Sequence, residues 1–142
     1  MPEDVTVTII LVEDDPGHAR LIEKNIIRAG VTNPIVHFSN GASALDYIKK
    51  NGHTARSLLV LLDLNLPDMT GIDILLRLKQ DEGLKRAPVI VLTTTDDQRE
   101  IERCYELGCN VYITKPVEYD HFANAIRQLG LFFSVIQVPE SV

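Results

Sequence analysis

Leu58-Leu59-Val60-Leu61-Leu62-Asp63 is an unbroken aliphatic run that stops on a carboxylate. A strand covered on both faces reads this way, whereas a strand with one wet face alternates. Three further runs share the design. Ile9-Ile10-Leu11-Val12 leads into Glu13-Asp14, Val89-Ile90-Val91-Leu92 into Thr93, and Val111-Tyr112-Ile113 into Thr114-Lys115-Pro116. If the runs are parallel neighbours, their polar ends meet at one edge of a sheet, the edge at which open α/β sheets bind ligands. Carboxylates, a hydroxyl and an ammonium would then converge from distant parts of the chain, with Asp63 at the tip of the most apolar and central strand.

The sequence between these runs supplies the crossovers that parallel strands need. Asp15-Pro16 is a helix start, with Asp as cap and Pro at the first helical position, where its missing N–H costs nothing. Ala19, Leu21, Ile22, Ile26 and Ala29 follow at helical spacing, and Gly30 stops the helix. Ile35 to Phe38 reads as a short second strand, and Ser39-Asn40-Gly41 opens a helix carrying Ala42, Ala44, Leu45 and Ile48. Asn51-Gly52-His53 marks a loop, Pro67 to Gly71 a turn, and Ile72, Leu75, Leu76 and Leu78 a third helical stripe. A charged loop from Asp81 to Pro88 precedes the fourth strand. Thr93 to Asp97 then leads into a helix with Ile101, Cys104 and Tyr105, ending near Gly108. A fifth strand and a last helix complete the alternation, which predicts an α/β fold with helices on both faces of a parallel sheet.

Bulk properties narrow the function. A chain of 142 residues fits one domain, and a domain of that size buries roughly 70% of its unfolded surface. Residues 1–142 read as a single unit without linker or repeat. The net charge of −6 and the lack of a basic stripe argue against a nucleic-acid surface. No apolar run reaches the length of a membrane span, and Met1-Pro2-Glu3-Asp4 does not resemble a secretory signal, so a cytoplasmic protein is expected. Cys104 and Cys109 read as reduced structural thiols in that compartment. His18, His37, His53 and His121 show no metal-ligand spacing and read as surface or loop residues.

Glu13, Asp14 and Asp63 crowded at one edge would repel one another unless a cation neutralised them. Mg2+ suits an all-oxygen set of this kind, and it is commonly held by one or two carboxylates together with a phosphate oxygen. Phosphoryl transfer depends mostly on positioning and charge neutralisation. The cluster offers a metal site, Lys115 as cation, Thr93 as hydroxyl and Asp63 as carboxylate nucleophile.

Val12-Glu13-Asp14-Asp15-Pro16, Leu61 through Gly71, Val91-Leu92-Thr93 and Tyr112-Ile113-Thr114-Lys115-Pro116, in that order and β-α context, resemble the receiver domain of two-component response regulators over residues 7 to 129. The resemblance implies a flavodoxin-like, doubly wound five-stranded sheet of order 2-1-3-4-5. It implies that Asp63 takes a phosphoryl group from a sensor histidine kinase. Asp14, Asp63 and the Asn65 carbonyl would bind Mg2+ directly, and Glu13 mainly through water. Lys115 would hold the acceptor and then the phosphoryl group, Thr93 would move to bond it, and Tyr112 would turn inward as a switch. A cis bond before Pro116 is a further implication. The resemblance also implies that the residues two beyond the acceptor and two beyond the hydroxyl, here Asn65 and Thr95, affect access of water to the phosphoryl group. The function implied is signalling through phosphorylation-dependent protein contacts, with no external substrate.

Other readings stand beside these. Asp15 serves as a helix cap, and Tyr112 could equally be an amphipathic strand residue with its hydroxyl at the surface. A haloacid-dehalogenase-like aspartyl-phosphate phosphatase would carry an acid two residues after the nucleophile, where Asn65 stands. A pseudo-receiver docking scaffold would lack an acid, the acceptor or the lysine, and none is missing. From about residue 130 the chain is more apolar than one helix face can use. Phe132, Phe133, Val135 and Ile136 therefore read as a homodimer interface. This ending also resembles small regulators paired with bacterial phytochrome kinases.

Overall fold

The computed structural model describes residues 7–115 and 118–133; the side chains of Arg56 and of residues 129–133 lie outside that description. Strands and helices alternate as the sequence predicts: β1 Thr8–Val12, α1 Pro16–Arg28, β2 Ile35–Phe38, α2 Gly41–Lys50, β3 Leu58–Leu62, α3 Gly71–Gln80, β4 Val89–Thr93, α4 Gln98–Leu107, β5 Val111–Thr114 and α5 Tyr119–Phe133. A 3-10 turn at Ala55–Ser57, which no apolar period announces, precedes β3.

All strand pairs are parallel and the order is β2-β1-β3-β4-β5. This is the doubly wound, flavodoxin-like sheet implied by the resemblance, with β3 at its centre. Every residue of β3 and of β4 is buried, as unalternating apolar runs require. Side chains of successive strand residues point to opposite faces, so two cores form. Ile9, Leu11, Leu59, Leu61, Ile90 and Leu92 pack with Ile22 and Ile26 of α1 and with Phe122 and Ile126 of α5. Ile10, Val12, Val60, Leu62 and Val91 pack with residues of α2, α3 and α4.

Local chemistry fixes the helix ends. Asp15 Oδ1 accepts from the backbone N–H groups of Gly17 and His18 at 2.8 and 3.0 Å, as expected of a cap. Asn40, Thr70 and Asp97 do the same for α2, α3 and α4. Gly108 closes α4 in the left-handed region at φ 105°, which a Cβ would disfavour.

The structure corrects several stripe assignments. Leu21 is 48% exposed, because it lies about 100° round the helix from buried Ile22. Ala42 is exposed, and Ile72 and Leu76 are only half-buried while Ile74, not expected, is fully covered. The charged segment 81–88 is less open than its composition suggests, since Leu84 and Ala87 are buried. Both cysteines are free and buried, as expected of structural thiols. The side chains of Phe132 and Phe133, the Pro116 bond, and Val135 and Ile136 lie outside the described residues.

Candidate functional site

The carboxyl ends of β1, β3, β4 and β5 meet as the sequence requires. Glu13, directly after β1, is 1% exposed; Asp63, directly after β3, is 6% exposed; Thr93, ending β4, is fully buried. Backbone hydrogen bonds set their register: Asp63 N donates to Val12 O at 3.0 Å, and Glu13 N to Phe38 O at 3.0 Å. Lys115 N donates to Thr93 O at 2.7 Å, carrying the lysine off β5 toward the centre. Carboxylate oxygens of Glu13, Asp14 and Asp63 lie within 4.8 Å of one another, with Asp14 on the exposed side.

Lys115 is the electrostatic centre of the group. Its ammonium donates to Asp63 Oδ2 at 3.1 Å and to Glu13 Oε1. Its side chain is only 7% exposed. Burial pushes the Glu13 carboxyl up to about 7, with the Asp63 carboxyl acting in the same direction and the Lys115 ammonium and the Asp15 N–H opposing them. Excess negative charge remains after the lysine is counted, and all of it is on oxygen. A hard divalent cation fits such a donor set, with exposed Asp14 open to it.

The loop after Asp63 is tied back to the site. Asn65 N donates to Asp63 Oδ1 at 3.1 Å, and Asn65 Nδ2 reaches Thr93 Oγ1 at 3.4 Å. Gly71 allows the chain to return: a Cβ there would come within 2.4 Å of Asp63 O and 2.7 Å of the Leu64 Cα. Tyr112 belongs to the neighbouring strand. Its hydroxyl donates to Thr95 O at 2.7 Å, and burial, reinforced by nearby Cys104 and Glu100, raises its pKa.

The sequence-predicted residues Glu13, Asp14, Asp63, Asn65, Thr93 and Lys115 are thus brought together, and Tyr112 stands beside rather than among them. Two histidines read as ordinary surface or loop residues also take part. His37 Nε2 donates to Glu13 O at 2.7 Å, and His18 Nδ1 lies 3.1 Å from Lys115 Nζ. For His18 a signal existed: a helix capped by Asp15 puts it in the first turn, directly above Glu13. A groove of about 510 Å³ between α2 and α3, lined in part by Leu45, Met69, Arg77 and Leu84, includes none of the site residues.

Residues 9–127 match the family described as the response regulator receiver domain. The chain belongs to that family. The receiver is 67% identical to a solved response regulator receiver domain from Rhodospirillum rubrum, over 95% of this chain and 99% of that one, with a TM-score of 0.76. Among curated proteins it is 36% identical to the response regulator Rcp1 of Synechocystis sp., over 94% of this chain and 86% of Rcp1. A Mn(2+)-bound form of Rcp1 has been solved; it covers 94% of this chain and 99% of its own, with a TM-score of 0.74 and 28% identity in that comparison. The phosphorylated cyanobacterial phytochrome response regulator RcpA is 33% identical over 94% of this chain and 99% of its own, TM-score 0.74. The receiver is therefore a two-component response regulator related to those of phytochromes. Among its described residues, no helix is long and apolar enough to cross a membrane.

Proposed function

We propose that Asp63 accepts a phosphoryl group from the phosphohistidine of a sensor histidine kinase, of the type coupled to phytochromes, and that the receiver signals through protein contacts that depend on it. The observation that carries this reading is Asp63 itself: a buried carboxylate at the end of the central strand, with an ammonium 3.1 Å away and a buried hydroxyl linked to it through Asn65. In the transfer, a carboxylate oxygen of Asp63 forms a bond to phosphorus as the P–N bond of the donor breaks. The departing imidazole keeps the electron pair and takes up a proton. Lys115 offsets the charge arriving on the phosphoryl oxygens, and Thr93 offers a hydroxyl to one of them once the loop shifts.

Asp14, Asp63 and the Asn65 carbonyl would hold Mg2+ directly and Glu13 through water; bound there, the ion would neutralise charge on the transferring group. The acidic donor set and the Mn(2+)-bound form of Rcp1 support that assignment. Attack of water on the same phosphorus would return Asp63 to a carboxylate, with Asn65 and Thr95 at the approach. Catalysis is thus confined to the chain's own aspartate. We further place the protein in the cytoplasm as one receiver unit, and we assign Phe132, Phe133, Val135 and Ile136 to a homodimer contact.

Intact-mass measurement after incubation with Mg2+ and acetyl phosphate tests the central claim. A phosphoryl adduct is expected on the wild type and absent from Asp63→Asn and from a chelated sample. No adduct, even from a phosphorylated kinase, would overturn the acceptor assignment and leave a docking scaffold as the better account.

A further inference from the structure

An ammonium has three hydrogens and no acceptor of its own, so the acceptors around it decide where it sits. Lys115 meets three: Glu13 Oε1, Asp63 Oδ2 at 3.1 Å and His18 Nδ1 at 3.1 Å. The first two belong to residues buried to within a few per cent, whereas His18 is 45% exposed and closes the ring of acceptors from the solvent side. A lysine ammonium only donates; His18 Nδ1 must therefore accept, and the neutral imidazole carries its proton on Nε2. The ring stands on a firm base. Its backbone N–H is bonded to the cap Asp15 at 3.0 Å, in a helix whose first residue is proline.

We infer that His18 is a positioning residue for phosphoryl transfer, holding the Lys115 ammonium at the mouth of the site through Nδ1. The inference rests on Asp63 being the acceptor. When the charge of Asp63 moves outward onto a phosphoryl group, an ammonium held only by Glu13 and Asp63 would be drawn inward, away from the oxygens it must offset. His18 supplies the outward anchor, on the side from which a donor enters. Side-chain geometry makes the idea sharp. Asn Oδ1 lies as many bonds from its Cα as His Nδ1 does, so asparagine can present an acceptor in the same place; glutamine, one methylene longer, cannot.

The test compares wild type with His18→Asn, His18→Gln and His18→Ala, measuring the rate of adduct formation from acetyl phosphate at saturating Mg2+ and the thermal midpoint of each protein. His18→Ala and His18→Gln should slow formation about three- to tenfold, the effect of one misplaced hydrogen bond, with midpoints close to wild type. His18→Asn should recover most of the rate. In the metal-free protein, imidazole 15N resonances should show His18 protonated on Nε2, and the Nδ1 signal should move in Lys115→Met. Equal rates in all four proteins, equal losses in the Asn and Gln variants, or a proton on Nδ1 would overturn the inference while leaving Asp63 as the acceptor. If the wild type forms no adduct, the role in transfer falls with the proposed function, and the nitrogen spectrum alone decides whether the Lys115 contact stands.

Discussion

Thr93 is fully buried, yet its hydroxyl faces polar company: Oγ1 accepts from Asn65 Nδ2 at 3.4 Å. That distance is too long for a strong bond, so little holds the hydroxyl to its present partner. A phosphoryl oxygen, carrying negative charge, is a better one. Thr93→Ala should therefore leave phosphorylation of Asp63 intact while weakening the change in partner binding that follows it. Comparing both proteins with and without acetyl phosphate checks this, and equal responses would remove Thr93 from the relay. At this scale the sequence was legible where a residue's neighbours along the chain define its place. A polar residue ending an apolar run had to lie at the sheet edge, which located Glu13, Asp63 and Thr93. For His18 the cap Asp15 gave a first-turn position but not the partner, Lys115, and His37 was not legible at all, because the Glu13 carbonyl is supplied by another element. Spacing within the chain says nothing about such contacts.

Between elements, the loop from Asp63 to Gly71 has an anchor that no motif announced. Asp68 accepts from the backbone N–H groups of Gly41 at 2.9 Å and Ala42 at 2.8 Å, so an acid from the β3-α3 loop caps the start of α2 alongside its own cap Asn40. The Gly41 and Ala42 bonds hold the Asp68 carboxyl below its ordinary 3.8. The sign follows: a depressed folded value adds stability that is present above the unfolded value and disappears as pH falls through the folded one. Asp68→Ala should lower the thermal midpoint at neutral pH, and its effect should fade as pH falls from 3.8 through the lower folded value. Amides in the first turn of α2 should exchange faster with solvent in the variant at neutral pH; unchanged exchange there would show that Asn40 suffices. Element existence was readable from apolar period and caps throughout, but the 3-10 turn before β3 was not. A single turn is too short to display a period.

At the scale of the molecule, β3 and β4 are buried throughout while the edge strands β2 and β5 are only half-covered, and a homodimer contact calls for an apolar surface. The apolar residues at the end of the chain are the natural candidate. Phe132→Asp combined with Phe133→Asp should shift the protein to a monomer in light scattering at micromolar concentration, and an unchanged mass would remove that segment from the contact. The sheet order was read from resemblance, because apolar runs reveal that strands exist without saying which ones pair. That order has a consequence for communication. Asp63, Thr93 and Tyr112 stand on or at the end of three consecutive strands, each parted from the next by a whole helix in sequence. Neighbouring strands are about 4.8 Å apart, so the acceptor is two rungs, roughly 10 Å, from the rim. Any message from Asp63 to Tyr112 runs sideways, at right angles to the polypeptide. The two intervening helices, ten residues each, lie off that line and add no step to it.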